Sequence, residues 1–320
     1  MSHSPAVSIL LPVAHEREYL AAAAQSVLRQ TLGDLELILI DDAGRTDELK
    51  DIAAGWNDGR VRVVACSGKG IADALNTGLS AASGSIWCRC DADDLYPPDR
   101  LARQVQFLAG HPEYGAVSGS MWAMTPAGKF LADMNGDLGT QDITDELRGG
   151  VARGSLCTWA VRMDLMRSVG EFRRYFITAE DIDLQFRIAE RSRIFYDAHL
   201  AYHYRLHDTS TTHTQPNVRR IFFDGIAREF QRQRLATGAD DLDRGCPPEP
   251  PPADAGVHTA SSNTQLILMG ASWEKHRQGR KGQALQLGWQ ACRLGPRSLA
   301  AWRSLGALAI KRAGSGTVTP

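Results

Sequence analysis

Two groups of carboxylates stand directly after apolar runs: Asp41-Asp42 after Leu35–Ile40, and Asp91-Ala92-Asp93-Asp94 after Ser85–Cys90. Placing three acids within four residues costs like-charge repulsion, and a bound divalent cation removes that cost. Hard oxygen donors suit Mg2+ or Mn2+, which keep waters and bridge to substrate phosphates, so a nucleoside diphosphate is a natural partner. A solvated acidic turn is the alternative. A further pair, Glu180-Asp181, opens a stretch of helical spacing; by itself it reads as the acidic first turn that a helix N-terminus favours. Cys88 and Cys90 flank Arg89 and share a strand face. They could meet a metal together but read as small buried hydrophobes. His203, His207 and His213 lack the cysteines or helical spacing that would support a zinc site.

The elements that must position these acids are legible as periodicity. Val7–Val13, Leu35–Ile40, Val61–Cys66 and Ser85–Cys90 read as short apolar strands. Between and after them, Glu16–Gln30, Asp47–Trp56, Ile71–Ala82 and Pro98–Ala109 read as helices. This alternation implies a parallel sheet with helices on both faces. Ligands bind outside the carboxyl ends of strands in such sheets, which is where both acidic clusters fall.

From Gly115 the rhythm changes. A hairpin turns at Thr125-Pro126-Ala127-Gly128, Arg148–Val169 is mixed, Glu180–Arg191 and Asn217–Leu235 are helical, and Arg193–Tyr196 is a strand. Cys246–Ala253 reads as a Pro-rich linker. Thr264–Gln278, Lys281–Arg293 and Ser298–Arg312 read as three short helices. The expected domains are a catalytic domain over 1–240, with halves meeting near 115, a linker over 241–262, a basic helical extension over 263–313, and a disordered tail over 314–320.

With 43% hydrophobic and 23% charged residues, the 320-residue chain has material for a core without disulfide staples. Six cysteines without a CxxC pair suggest a reducing compartment. The first residues lack the pattern of a signal peptide, and no apolar run is long enough to span a membrane, so the expected location is cytoplasmic. The net charge of −1 hides an asymmetry: Asn263–Pro320 carries nine Lys/Arg and one acid, Glu274. Such a tail suits something anionic, either a membrane's inner face or the acidic remainder of the protein.

Taken in order, these segments resemble glycosyltransferase family 2, the inverting enzymes of the GT-A fold. VSILLP resembles the family's first strand and ELILIDDAGRTDEL its "DDGSTD" segment. GIADALNTGLSAASGSIWCRCDADDLYPPDRLARQVQFLAGHPE resembles its most specific stretch, AEDIDLQFRI its "ED" helix, and YHYRLHDTSTTH the segment that follows. The resemblance covers about Ala6 to His213.

It implies an α/β fold with a mostly parallel, Rossmann-like sheet between helices and a C-terminal helical extension. The implied activity moves a sugar, hexosyl or N-acetylhexosaminyl, from a UDP-sugar to a glycan or lipid-linked acceptor in surface polysaccharide or glycolipid synthesis, with Mn2+ or Mg2+. On this reading Asp94 ligates the metal with Asp91 near it, and Asp93 contacts the donor. Pro12, Ala14, Asp42, Lys69 and Asn76 line the nucleotide site. Asp181 is the general base with Glu180 beside it, and Arg205 and His207 are diphosphate candidates. Trp159 lies where a sugar acceptor could stack.

The chain departs from the family in reading Pro12-Val13-Ala14-His15, without the usual aromatic and Asn, and in placing Arg45 in the DDAGRTD loop. The C-terminal helices resemble one and a half tetratricopeptide units, too little to bury a face alone, so a membrane surface or a protein partner is expected there and nucleic acid is not. A nucleotidyltransferase and a non-catalytic sugar-binding relative are the competing classes. Glu180-Asp181 argues against the first, and joint retention of Asp42, Asp94 and Asp181 against the second.

Overall fold

The computed structural model describes residues 4–14, 17–134, 138–207, 217–252 and 260–314. His15, and most of the segment after His207 including His213, lie outside the described residues. The first part alternates as its periodicity requires: β1 (Val7–Val13), α1 (Arg17–Leu28), β2 (Leu35–Asp41), α2 (Thr46–Ala54), β3 (Val61–Ala65), α3 (Ile71–Ala81), β4 (Ile86–Arg89) and α4 (Arg100–Gly110). Strands β5 (Tyr114–Met124), β6 (Phe130–Asp133) and β7 (Gln141–Asp142) follow, then α5 (Thr144–Arg148), a 3-10 turn at Leu156–Thr158, β8 (Ala160–Arg162), α6 (Met163–Val169), α7 (Glu180–Arg191), β9 (Arg193–Arg205) and α8 (Asn217–Thr237). The last helices are α9 (Ala260–Arg277), α10 (Lys281–Leu294) and α11 (Leu299–Ile310).

The strands form one sheet in the order β3-β2-β1-β4-β8-β5-β9-β7, with β6 added to β5. β1 pairs in parallel with β2 and β4, and β2 with β3, whereas β8 runs antiparallel to β4. Alternate residues of β1 and β2 enter cores on opposite faces. Val7, Ile9, Leu11, Leu37 and Leu39 pack with Leu20, Val27 and Leu101 of α1 and α4; Leu10, Ile38 and Ile40 pack with Leu75 and Leu79 of α3. The small residues of α3 permit its close approach to the sheet: a Cβ on Gly78 would stand 2.6 Å from Ile40 Cδ1 and 3.0 Å from Leu10.

The chain divides into two compact units. The first comprises Met1–Met121, Leu138–Tyr204 and Val218–Pro252, and the second Trp122–Asp137, Arg205–Asn217 and Ala253–Pro320. The hairpin around Thr125–Gly128 therefore groups with the C-terminal helices. The described part of the Pro-rich stretch is not a free linker. Tyr175 Oη donates to the Pro248 carbonyl at 2.6 Å and Arg219 Nε to that of Pro251 at 3.0 Å, which fastens it to the first unit.

Candidate active site

In the first unit β1, β2 and β4 run in parallel and present their carboxyl ends at one sheet edge. At the end of β2 the two aspartates have different work. Asp41 is buried and shapes the loop: its oxygens accept from the Ala43 N–H at 3.0 Å and the Thr46 hydroxyl at 2.6 Å. Asp42 is partly exposed and accepts from the Gly70 N–H at 3.1 Å, which ties β2 to the loop that starts α3. Val13, Ala14, Arg17, Asp41, Ala43 and Arg45 line a small cleft here, and Pro12 is partly buried at the end of β1. Gly44 supplies the left-handed turn (φ 72°) beside Arg45. Lys69 is exposed and enters no ion pair among the described residues; its backbone N–H donates to Asp73 at 2.9 Å.

At the end of β4 the acidic cluster forms a turn closed by the Asp94 N–H on the Asp91 carbonyl at 3.2 Å. Paired backbone hydrogen bonds between Leu95 and His203 pin the turn to β9. Asp94 is buried and Asp93 partly exposed. Asp91 is ion-paired. Arg89 grips it in bidentate fashion, Nε to Oδ1 at 2.7 Å and Nη2 to Oδ2 at 3.2 Å, and the Cys157 thiol donates to it at 3.4 Å. A buried guanidinium thus already partners Asp91.

The same guanidinium reaches α7, with Nη1 3.4 Å from Glu180 Oε1. Ala179, just before this helix, has left-handed φ (63°) without being glycine, a strained conformation of the kind that clusters at functional sites. Within α7 the buried Asp183 accepts from Arg187 Nε at 2.8 Å and lies 3.6 Å from both Arg173 and Arg234, which converge on buried Asp240. Arg234 also holds Glu190 at 2.7 Å. These ion pairs fix the helix whose first turn carries Glu180 and Asp181.

Asp181 is partly accessible, and among the described residues its side chain accepts the backbone N–H of Ile182 at 2.9 Å. Its pKa is raised to about 7, first by burial and then by the charge of Glu180, with Asp224 adding and Arg89 opposing. A carboxylate in that state accepts protons efficiently near neutrality.

One other expectation is corrected. Trp159 is fully buried in the core with Leu184 and Ile188, so no sugar can stack on it. Asn76 is buried and latches onto Phe172, donating to its carbonyl at 2.9 Å and accepting its N–H at 2.8 Å; this amide holds two segments together. Arg205, buried in the second unit, donates to the Pro126 carbonyl of the hairpin turn at 2.5 Å. His207 is also buried in that unit. Cys88 and Cys90 are buried, and burial pushes the Cys88 thiol up to about 11, so these are packing residues. Arg89 is the residue that motif reading passed over; an arginine inside an apolar strand two residues before an acid was the available signal.

The family described as Glycosyl transferase family 2 matches residues 8–169, half of the chain. This chain belongs to that family. An uncharacterized glycosyltransferase of Rickettsia typhi is 26% identical over 248 residues, 73% of this chain and 75% of that one. Among solved structures, residues 1–349 of S. aureus TarS in complex with UDP-GlcNAc align with a TM-score of 0.58 at 14% identity, over 95% of this chain and 87% of that one. A Pyrobaculum calidifontis mannosyltransferase in complex with GDP-Man and Mn2+ aligns with a TM-score of 0.50 at 19% identity, over 96% and 80%. The fold of this glycosyltransferase is thus the GT-A fold, and the acids at the ends of β2 and β4 and the start of α7 lie on the strand ends and helix that the sequence marked.

Proposed function

We propose that this glycosyltransferase is an inverting enzyme that moves a hexosyl or N-acetylhexosaminyl group from a UDP-sugar to a hydroxyl of a glycan or lipid-linked glycan. The observation that carries this reading is Asp181, a partly buried carboxylate with a pKa raised to about 7, in the first turn of a helix held by Arg89 and the ion pairs of Asp183. Inversion is one in-line displacement at the anomeric carbon, so the attacking hydroxyl needs a base positioned to take its proton. Asp181 Oδ2 is that base. Glu180 raises its proton affinity, and Arg89 holds Glu180 and Asp91 in place. Asp42, Lys69, Pro12 and Ala14 would line the nucleotide site.

Among the described residues no three His, Cys, Asp or Glu side chains converge on a metal. Mg2+ and Mn2+ do not need such a cage beside a diphosphate: one or two carboxylates, phosphate oxygens and waters suffice. With Asp91 committed to Arg89, Asp94 would hold the ion and Asp93 the donor. A bound divalent ion would neutralise charge on the leaving diphosphate. The relatives in complex with UDP-GlcNAc, and with GDP-Man and Mn2+, support a nucleotide-sugar donor and a divalent ion.

Calorimetry with UDP, with and without Mn2+, tests the donor site: tighter binding with Mn2+ is expected, and no binding in either condition overturns the reading. A nucleotidyltransferase would instead release pyrophosphate from a nucleoside triphosphate and a sugar phosphate.

A further inference from the structure

The C-terminal helices of the second unit present a surface that includes none of the candidate site residues. Helix α11 is held against its neighbours by Trp273, whose Nε1 donates to Ser304 Oγ at 2.8 Å, and by Lys281, whose ammonium donates to the Ala309 and Lys311 carbonyls at its C-terminus at 2.7 and 3.0 Å. It buries Ala301 and Leu308. Its other face carries Leu299, Trp302, Gly306 and Ile310, a single helical stripe in which Leu299 is 71% and Ile310 86% exposed.

Trp302 meets Trp289 of α10 edge-to-face, ring centroids 5.7 Å apart, and about half of each indole stays exposed. Arginines surround the pair in sequence. Arg293 lies one turn beyond Trp289, and Arg303 is next to Trp302. Arg297 follows Pro296, whose carbonyl accepts the Trp302 Nε1–H at 2.9 Å. All three are exposed, and none enters an ion pair among the described residues. The only acid in Asn263–Pro320, Glu274, is paired with Arg277.

Exposed aliphatic side chains, half-exposed tryptophans and uncompensated arginines on one surface match one environment. Indoles favour the headgroup level of a bilayer, arginines favour lipid phosphates, and the stripe gains by entering the acyl boundary. A second copy of the same patch would bring like charges together. Among the described residues no helix is long and apolar enough to cross a membrane, so contact through this patch is peripheral. We propose that α11, with Trp289 and Arg293, Arg297 and Arg303, is a docking surface for an anionic phospholipid bilayer. The proposal does not rest on the donor or mechanism.

The full chain is sedimented with phosphatidylcholine vesicles and with vesicles containing about one third phosphatidylglycerol. Pelleting with the anionic vesicles only, a blue shift of tryptophan emission, and at least tenfold weaker binding in 0.5 M NaCl are expected. Leu299→Glu with Ile310→Glu, and separately Arg293→Glu with Arg297→Glu and Arg303→Glu, should each weaken binding at least tenfold. All five positions are exposed, and circular dichroism confirms folding. No pelleting, equal pelleting with neutral vesicles, or variants that bind as wild type would overturn the proposal. So would variants that dissociate an oligomer while wild type ignores vesicles.

Discussion

Arg89 and Glu180 lie 91 residues apart in the chain and 3.4 Å apart in space, and the guanidinium that joins them also grips both oxygens of Asp91. One buried cation thus couples the acidic turn at the end of β4 to the head of α7. Arg89→Met would leave two carboxylates short of their counter-charge. Loss of one partner from a buried pair costs on the order of 3–5 kcal/mol, so a marked fall in Tm is expected. Arg89→Lys keeps the charge but cannot span both carboxylates. It should fold and lose at least tenfold in kcat, and a wild-type kcat would show that the bridge does not position the site.

Stability should respond to Asp181 in a defined pH window. Its pKa is raised to about 7 by burial and by Glu180. Below about pH 4 the carboxyl is protonated in folded and unfolded chains alike. Between there and 7 only the folded chain keeps the proton, so stability falls as pH rises, and above 7 the loss is complete. Asp181→Asn removes this titration. The variant's Tm advantage over wild type should grow from pH 4 to 7 and then level off, as thermal melts across that range would show.

Asn76 is predicted to be structural. Asn76→Ala removes both bonds to the Phe172 backbone and leaves its buried polar groups unpaired, at a cost of about 1–3 kcal/mol. UDP affinity in the folded variant should stay within about twofold of wild type by calorimetry. A tenfold loss of affinity at unchanged Tm would restore it to the nucleotide site.

The close approach of α3 to the sheet depends on Gly78. Gly78→Val would drive a branched side chain into Ile40 and Leu10, and overpacking of this kind costs about 1–3 kcal/mol. A denaturant midpoint equal to that of wild type would mean that the helix has room the structure does not show.

Much of this was legible in the sequence because strand, acid and helix recur at fixed intervals. Four apolar runs predicted β1 to β4, and the acids at their ends fell where a parallel sheet puts its ligands. Glu180–Arg191 formed as its spacing required. What stayed hidden depends on side-chain partners distant in sequence. Nothing local says that Arg89 takes Asp91, that Phe172 takes Asn76, or that Pro126 takes Arg205. Trp159 stood where acceptor contacts were expected and sugar rings stack on indole, yet its side chain lies in the core with Leu184 and Ile188 of α7. The stretch CPPEPPPA reads as a spacer by composition, while hydrogen bonds to Pro248 and Pro251 from Tyr175 and Arg219 are visible only in three dimensions.

The central claim is that Asp181 takes the proton of the acceptor hydroxyl. The most direct measurement is the pH dependence of kcat/KM for sugar transfer, in wild type and Asp181→Asn, with UDP binding followed in parallel. The wild type should show an acid limb near pH 7, and the variant should lose at least 100-fold in kcat with UDP affinity retained. A flat wild-type profile from pH 5 to 9, or an Asp181→Asn variant that transfers at the wild-type rate, would contradict it.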